Sequence, residues 1–252
     1  MQRSKGFYLT LPSNSSLDIF PSNTVANFKV RLPETVSLEG DWEVALVEIQ
    51  YTHTWNTIRH GVKQTIRYGP VEGPRHTGLI DGGYYDRVPD LVKNINGCMA
   101  KEEQSNIKFS YNRKTHKVTV NVKKGSSVWF TGDIAATLGF DQDTWIKNEK
   151  RVSPYVADIN GGFSSMFVYC SLVSAQIVGD KQVPLIRTVQ VEGKHGAVIT
   201  KTYQNPLYKP VGIKNFETIE LDIRDGSGRR VPFEYGRSIY TLHLRPNRSI
   251  YL

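Results

Sequence analysis

The fold of this 252-residue chain is decided near its C-terminal end, where residues 216–245 read FETIELDIRDGSGRRVPFEYGRSIYTLHLR. Apolar and polar residues alternate from Ile219 to Ile223 and again from Tyr240 to Leu244, which is the period of a half-buried β-strand. The intervening DGSG, residues 225–228, is typical of a turn because glycine tolerates a positive φ. The segment therefore predicts strands and a turn, with no helix.

The same two-residue period recurs along most of the chain. Residues 42–51, WEVALVEIQY, are apolar on both faces at their centre, as in a central strand. The nine predicted strands lie at about 24–32, 41–51, 62–68, 152–158, 165–173, 184–191, 197–203, 217–224 and 238–245.

A different pattern interrupts the strands between about residues 82 and 145. Apolar residues recur at helical spacing from Val88 to Met99, and a second short helix is predicted over Gly132–Phe140, with Gly139 as its C-terminal stop. A hairpin is predicted between them, at about 106–123. We therefore predict an all-β fold, a single jelly-roll β-sandwich of two antiparallel sheets over residues 23–252, with this helix–hairpin–helix insertion. Residues 1–22 are predicted to form an N-terminal arm or an edge strand.

Composition excludes several classes of protein. The longest wholly apolar run, Met166–Cys170, has five residues, whereas a membrane-spanning helix needs about 20. The apolar stretch Phe7–Leu11 is too short for the core of a signal peptide, so we expect synthesis in the cytosol or nucleus. Two cysteines, Cys98 and Cys170, cannot build a disulfide framework and are predicted to act as small apolar side chains.

The chain is basic, with a net charge of +8, and part of the excess is local. Residues 224–252 hold six arginines against two acidic residues. A polyanion, an acidic neighbouring protein or simple solvation would each explain this distribution. A basic nucleic-acid-binding β-protein is therefore one alternative function, and a carbohydrate-binding or receptor-binding jelly roll is another, because lectins share that architecture.

Motifs of catalysis and of metal binding are not found in the sequence. The phosphate loop GxxxxGK[ST], the dinucleotide fingerprint GxGxxG and the nucleophile elbow GxSxG do not occur. The six histidines are scattered, and the best pair, His53 and His60, flanks Trp55 in a segment that is typical of a strand exit with an aromatic anchor. We therefore predict no enzymatic activity, no catalytic residue, no cofactor and no metal.

Five strings of the sequence resemble the minor capsid, or penton, proteins of Polinton (Maverick) elements and the related adintoviruses. In chain order they are FYLTLPSNSSLDIFPSNTVANFKVRLP (7–33), WEVALVEIQYTHTWNT (42–57), GGYYDRVPDLVKNIN (82–96), ATLGF (136–140) and FETIELDIRDGSGRRVPFEYGRSIYTLHLR (216–245). The resemblance implies a single jelly-roll protein that forms homopentamers at the fivefold vertices of an icosahedral double-stranded DNA capsid. It also implies a location in the virion, a larger double jelly-roll major capsid protein as partner and a possible host receptor.

Candidate site residues follow from that expectation. Arg229 and Arg230 stand at a predicted exposed turn, and with Trp55 they are the candidate contacts between subunits. Two strings with the pattern I-x-G-G-aromatic, residues 80–84 and 159–163, resemble the sites cut by the adenovirus-type cysteine protease that such elements also encode. The candidate protease sites are therefore Gly83 and Gly162, although a glycine turn before a regular element would give the same strings.

Overall fold

The computed structural model describes residues 2, 3, 5–58, 64–130, 132–160 and 163–247. Contacts divide the chain into two compact units: unit 1 comprises Met1–Trp55 and Phe163–Leu252, and unit 2 comprises Asn56–Gly162. Strands hold nearly half of the described residues, and helices hold few. Within them, no helix is long and apolar enough to cross a membrane.

Nineteen strands and three helices are present in the described residues. The strands are β1 (Gln2–Arg3), β2 (Phe7–Pro12), β3 (Asn27–Leu38), β4 (Trp42–Thr52), β5 (Thr65–Pro70), β6 (His76–Leu79), β7 (Ile107–Asn112), β8 (Lys117–Val122), β9 (Ser126–Phe130), β10 (Thr144–Lys147), β11 (Lys150–Val152), β12 (Ser165–Cys170), β13 (Gln176–Val178), β14 (Lys181–Val183), β15 (Leu185–Gln190), β16 (Val198–Thr202), β17 (Lys209–Pro210), β18 (Asn215–Arg224) and β19 (Ser238–Pro246). The helices are α1 (Val88–Gly97), α2 (Lys101–Gln104) and α3 (Gly132–Thr137).

Unit 1 is built from two sheets that share one apolar core. The first has the strand order β1-β3-β18-β12-β15, and the second has the order β16-β4-β19-β2, with β17 also pairing with β4. All of these pairs are antiparallel except β1 with β3. Alternation along the strands directs Phe28 of the first sheet and Tyr240 of the second into the shared core, where their ring centroids lie 5.7 Å apart. Burial of each such side chain contributes roughly 1.5–3 kcal/mol.

Residues 1–22, predicted as an arm or an edge strand, contain two strands. β2 pairs with β19 and forms one edge of the second sheet, whereas β1 pairs in parallel with the end of β3. Contact between this segment and a neighbouring subunit stays a prediction.

Unit 2 has its own core, between the sheets β10-β9-β5-β6 and β11-β8-β7 and the helices. Leu91 and Ile95 of α1 are buried there, as the helical spacing requires. The predicted helix is confirmed but is shorter than 88–100, because the N–H of Ala100 donates to the Tyr68 hydroxyl at 2.9 Å and the backbone of Ala100 is extended. The predicted hairpin is confirmed as β7 and β8.

Gly139 ends the second predicted helix for a steric reason. Its φ is 82°, a left-handed conformation that glycine adopts readily. A Cβ atom at this position would lie 2.4 Å from the carbonyl oxygen of Tyr155, and the N–H of Tyr155 donates to the carbonyl of Gly139 at 3.0 Å. The loop after β11 therefore packs against the backbone of this glycine.

Two of the nine predicted strands do not contribute to the sandwich. The strand predicted at 62–68 is β5, which pairs with β6 and β9 inside unit 2. The strand predicted at 152–158 is wrong beyond Val152, since β11 ends there and pairs with β8. An alternating pattern identifies a strand with one buried face, but it does not specify the sheet to which that strand belongs. Unit 2 accordingly spans more residues than the segment at about 82–145 that the helical pattern marked.

Candidate interaction surfaces

The turn that joins β18 to the following segment is held by one carboxylate. Asp225 accepts hydrogen bonds from the N–H and the hydroxyl of Ser227, at 2.9 and 2.6 Å, and from the N–H of Arg229 at 3.0 Å. Burial alone would raise the pKa of Asp225, but these hydrogen bonds, together with the charge of Arg229, outweigh it and lower the pKa. The turn is thus fixed by an ionised side chain that is only 9% exposed.

The arginines of this turn are neutralised within the chain. The Nε atom of Arg229 lies 3.3 Å from the Asp225 carboxylate. Arg230 and Arg224 share Asp222, with nitrogen–oxygen distances of 3.3 and 2.7 Å. The predicted contacts Arg229 and Arg230 are therefore exposed, at 56% and 54% of their side chains, but each already has a carboxylate partner. Their remaining N–H groups are what a neighbouring subunit could bind.

Trp55 is a core side chain of unit 1. It is only 7% exposed and stacks on the ring of His53 at a centroid distance of 3.9 Å. The rings of Phe163 and Phe233 meet it edge-on at 5.1 and 5.6 Å. Burial lowers the pKa of His53, so its imidazole is neutral at pH 7. Trp55 therefore anchors the exit of β4, and little of its side chain is available to a neighbouring subunit.

Of the two candidate protease sites, Gly83 lies within the described residues. Gly83 lies in the loop between β6 and α1, where it exchanges two backbone hydrogen bonds with Ile58, at 2.8 and 3.0 Å. A protease that binds this segment as an extended strand would have to break both bonds. Gly162 lies outside the described residues, as does His60. Cleavage at either glycine stays a prediction.

Side chains that bind metals are not gathered together in the described part of the chain. No group of three His, Cys, Asp or Glu residues there could hold a metal ion. His53 and His195 lie near each other, with ring centroids 6.2 Å apart, a proximity that the sequence did not indicate. Burial raises the pKa of Cys98 to about 11 and that of Cys170 to about 12, so both are thiols at neutral pH.

Sequence reasoning missed one surface, on the sheet β10-β9-β5-β6. Trp145 of β10 lies opposite Trp129 of β9, which lies opposite Arg67 of β5. The two indoles stack at a centroid distance of 5.8 Å, and the Arg67 guanidinium lies 5.0 Å from the centre of Trp129. Arg75 and Lys147 lie 4.9 and 5.2 Å from the centre of Trp145. We call these five residues the indole face.

Only the strand register could have revealed the indole face. Trp129 and Trp145 are separated by sixteen positions in the sequence, with α3 between them. Each tryptophan lies in a different short strand, and neither belongs to a recognisable sequence motif. The pairing of β9 with β10 brings the two tryptophans together, and β5 adds the arginine.

Comparison with known proteins identifies the fold. Over 96% of this chain and 99% of the other, the structure is similar to the mavirus penton protein, with a TM-score of 0.52 and 12% sequence identity. The chain has the fold of a penton protein. A second match, to the D2–D3 domains of the flagellar cap protein FliD from Escherichia coli, covers 96% of this chain with 13% identity, but its TM-score of 0.16 is too low to bear on the fold.

The likeness to the penton protein is one of structure alone. No protein-family model matches the sequence, and no curated protein matches it. The penton fold agrees with the expectation drawn from the five sequence strings, which pointed to penton proteins of Polinton elements and adintoviruses.

Proposed function

We propose that this protein is the penton of an icosahedral double-stranded DNA virus or virus-like transposon of the Polinton (Maverick) and adintovirus kind. In this role it is a structural virion protein at the capsid vertex, with no enzymatic activity. The observation that carries the proposal is the penton fold, which extends over nearly the whole of both compared chains. The five sequence strings support the same role independently of the coordinates.

We further propose that unit 1 is a single jelly roll. Eight of its strands form two sheets of four, in the orders β3-β18-β12-β15 and β16-β4-β19-β2. Successive strands cross repeatedly from one sheet to the other, as in the eight-stranded jelly rolls of viral capsid proteins. Unit 2 is then an insertion between the third and fourth of these strands.

The proposed assembly is a homopentamer, formed by the same head-to-tail contact repeated around a fivefold axis. Such a contact joins two different surfaces of the chain and closes a ring when each step rotates by one fifth of a turn. Unit 1 exposes several large apolar side chains that an interface of this kind would bury: Tyr8, Leu17, Ile19, Ile177, Val198, Leu207, Ile213 and Tyr235. The turn with Arg229 and Arg230 is the polar candidate. Further proposed partners are a double jelly-roll major capsid protein and a host receptor.

The mass of the purified protein in solution tests the assembly. Five copies of a 28.5 kDa chain weigh about 143 kDa, which light scattering distinguishes from a monomer, and class averages in the electron microscope would show five-membered rings. The double variant Arg229→Glu and Arg230→Glu should shift the mass towards the monomer. Its matched control, Arg113→Glu and Lys114→Glu, changes two exposed cations at the β7–β8 turn of unit 2 and should leave the mass unchanged.

A monomeric mass at high protein concentration, with no rings on the grid and none in a shell formed with the major capsid protein, would refute the pentamer. A pentamer that tolerates the reversal of both arginines would instead remove this turn from the interface.

A further inference from the structure

The indole face combines two features that are rarely left exposed together. Trp145 is 36% exposed, and Trp129 beside it is partly exposed, although tryptophan is usually buried in a core. Arg67, Arg75 and Lys147 are exposed around the two rings. Arg75 donates one hydrogen bond to the carbonyl of Val71 at 3.0 Å. Among the described residues, none of these three cations takes part in an ion pair, so the face keeps a charge of +3. Exposed aromatic groups with uncompensated charge mark a surface that binds a partner of opposite charge.

The geometry of the face restricts the class of partner. Trp145, Trp129 and Arg67 form a row across three adjacent strands, each directly opposite the next. The row lies on the solvent side of the sheet, since Val128 and Phe130 on the other side of β9 are fully buried in the core. A partner that uses this face must offer flat groups for the indoles and anionic groups, at the edges of those rings, for the cations.

We propose that the indole face binds single-stranded nucleic acid. Unpaired bases supply the flat groups and phosphates supply the charge, which is the combination that exposed aromatic residues among cations recognise. The long side chains of Arg67, Arg75 and Lys147 cover the indoles in the free protein and turn to the phosphates when bases take their place. Duplex DNA does not suit the face, because its bases are stacked inside the helix and a flat sheet does not enter the grooves.

An acidic polypeptide is the competing partner, and the face suits it less well. Carboxylates would pair with the three cations but would leave both indoles without a flat group to cover them. The proposal does not rest on the pentamer, because all five residues belong to unit 2 and to one chain.

The affinity of the full-length protein for a fluorescent 12-nucleotide oligo-dT, measured by anisotropy at several salt concentrations, tests the proposal. Each phosphate contact adds about −0.7 to the slope of log K against log salt for a single strand. The triple variant Arg67→Gln, Arg75→Gln, Lys147→Gln should therefore make the slope shallower by about 2. Replacement of Trp129 and Trp145 by leucine should weaken binding at least roughly tenfold with little change in slope, because stacking is uncharged.

A matched control separates this face from the general charge of the protein. Lys108→Gln, Arg113→Gln and Lys114→Gln remove three exposed cations on β7 and its turn, in the other sheet of unit 2, and should change the slope little. Circular dichroism establishes that each variant is folded, and the single variant Trp145→Phe, which keeps an aromatic ring, should retain most of the affinity.

Several results would overturn the proposal. The first two are no binding of oligo-dT at low salt, and a change of slope in the control variant as large as in the triple variant. The others are competition by duplex DNA as strong as that by unlabelled oligo-dT, and an affinity that does not change when both tryptophans are replaced. Stronger competition by poly-glutamate than by oligo-dT would assign the face to an acidic polypeptide. The penton role is tested separately, by the mass of the protein in solution. A monomeric mass would count against that role, and the binding measurements do not depend on it.

Discussion

One cluster in unit 1 and one in unit 2 place the same residue types in opposite surroundings. In unit 1 the tryptophans Trp42 and Trp55 are buried, and the arginines of the exposed turn pair with carboxylates. In unit 2 Trp129 and Trp145 line a surface, and the cations beside them lie against the rings instead of against acids.

The difference shows which arginines stabilise the chain and which remain available for binding. A guanidinium beside a carboxylate is largely neutralised, and in the turn at 225–230 the pair also fixes the backbone. A guanidinium over an indole keeps its full charge and its outward N–H groups, because the ring supplies only a weak attraction of about 0.5–1 kcal/mol at exposed sites. Net charge alone, +8 here, does not distinguish the two arrangements.

Replacement of tryptophan by alanine in each unit should give the largest contrast. Trp55→Ala removes a side chain that packs against four other rings, so we expect the free energy of unfolding to fall by about 4 kcal/mol. Trp145→Ala should lower it by less than about 1 kcal/mol, since the ring is partly solvated. Denaturation by urea, followed by circular dichroism, measures both. Equal losses would mean that the indole face is as structural as the core.

The next largest effect on stability should come from Asp225, the carboxylate of the turn at 225–230. Asp225→Asn keeps the shape and one oxygen that accepts from Ser227 and from the N–H of Arg229. It removes the charge, which strengthens those hydrogen bonds, and the second oxygen, which pairs with Nε of Arg229, so we expect a loss of about 2 kcal/mol at pH 7. Asp180→Asn is the matched control at the exposed turn between β13 and β14, and it should cost less than about 0.5 kcal/mol. If Asp225→Asn lowered the free energy of unfolding by no more than Asp180→Asn, the structural role of the Asp225–Arg229 pair would be contradicted.

The same variant should alter the dependence of stability on pH. The pKa of Asp225 is lower in the folded protein than its unfolded value of about 3.9. Its contribution is therefore fully present above that value and is lost as the pH falls through the folded pKa. Below about pH 4, the stability of the wild-type protein should fall more steeply than that of Asp225→Asn, as urea denaturation at successive pH values would show.

The cations of the indole face should have the smallest effect on stability. Arg67→Gln, Arg75→Gln and Lys147→Gln should each change the free energy of unfolding by no more than about 0.5 kcal/mol, because all three side chains are exposed and none is in an ion pair within the described residues. Thermal unfolding of the three single variants measures this. A loss above about 1.5 kcal/mol in any of them would give that cation a structural role and would weaken the contrast between the two units.

Local patterns in the sequence were enough to predict much of the fold. The alternation in residues 219–223 and 240–244 yields β18 and β19, and the helical spacing from Val88 yields α1. The DGSG turn and its exposed arginines also follow from local chemistry, since glycine and aspartate favour turns wherever they occur. These features depend on neighbours within a few residues, which a sequence displays directly.

Pairing between distant segments was settled only in three dimensions. Whether β5 belongs to the sandwich or to unit 2, whether Trp55 faces the core or the solvent, and whether Trp129 meets Trp145 all depend on which strands lie side by side. A strand with one apolar face can satisfy its backbone hydrogen bonds against many partners, so its own residues do not specify which one it takes. Which strands pair is decided by the burial of whole sheet faces in a common core. That burial depends on all the strands together and not on the sequence of any one of them.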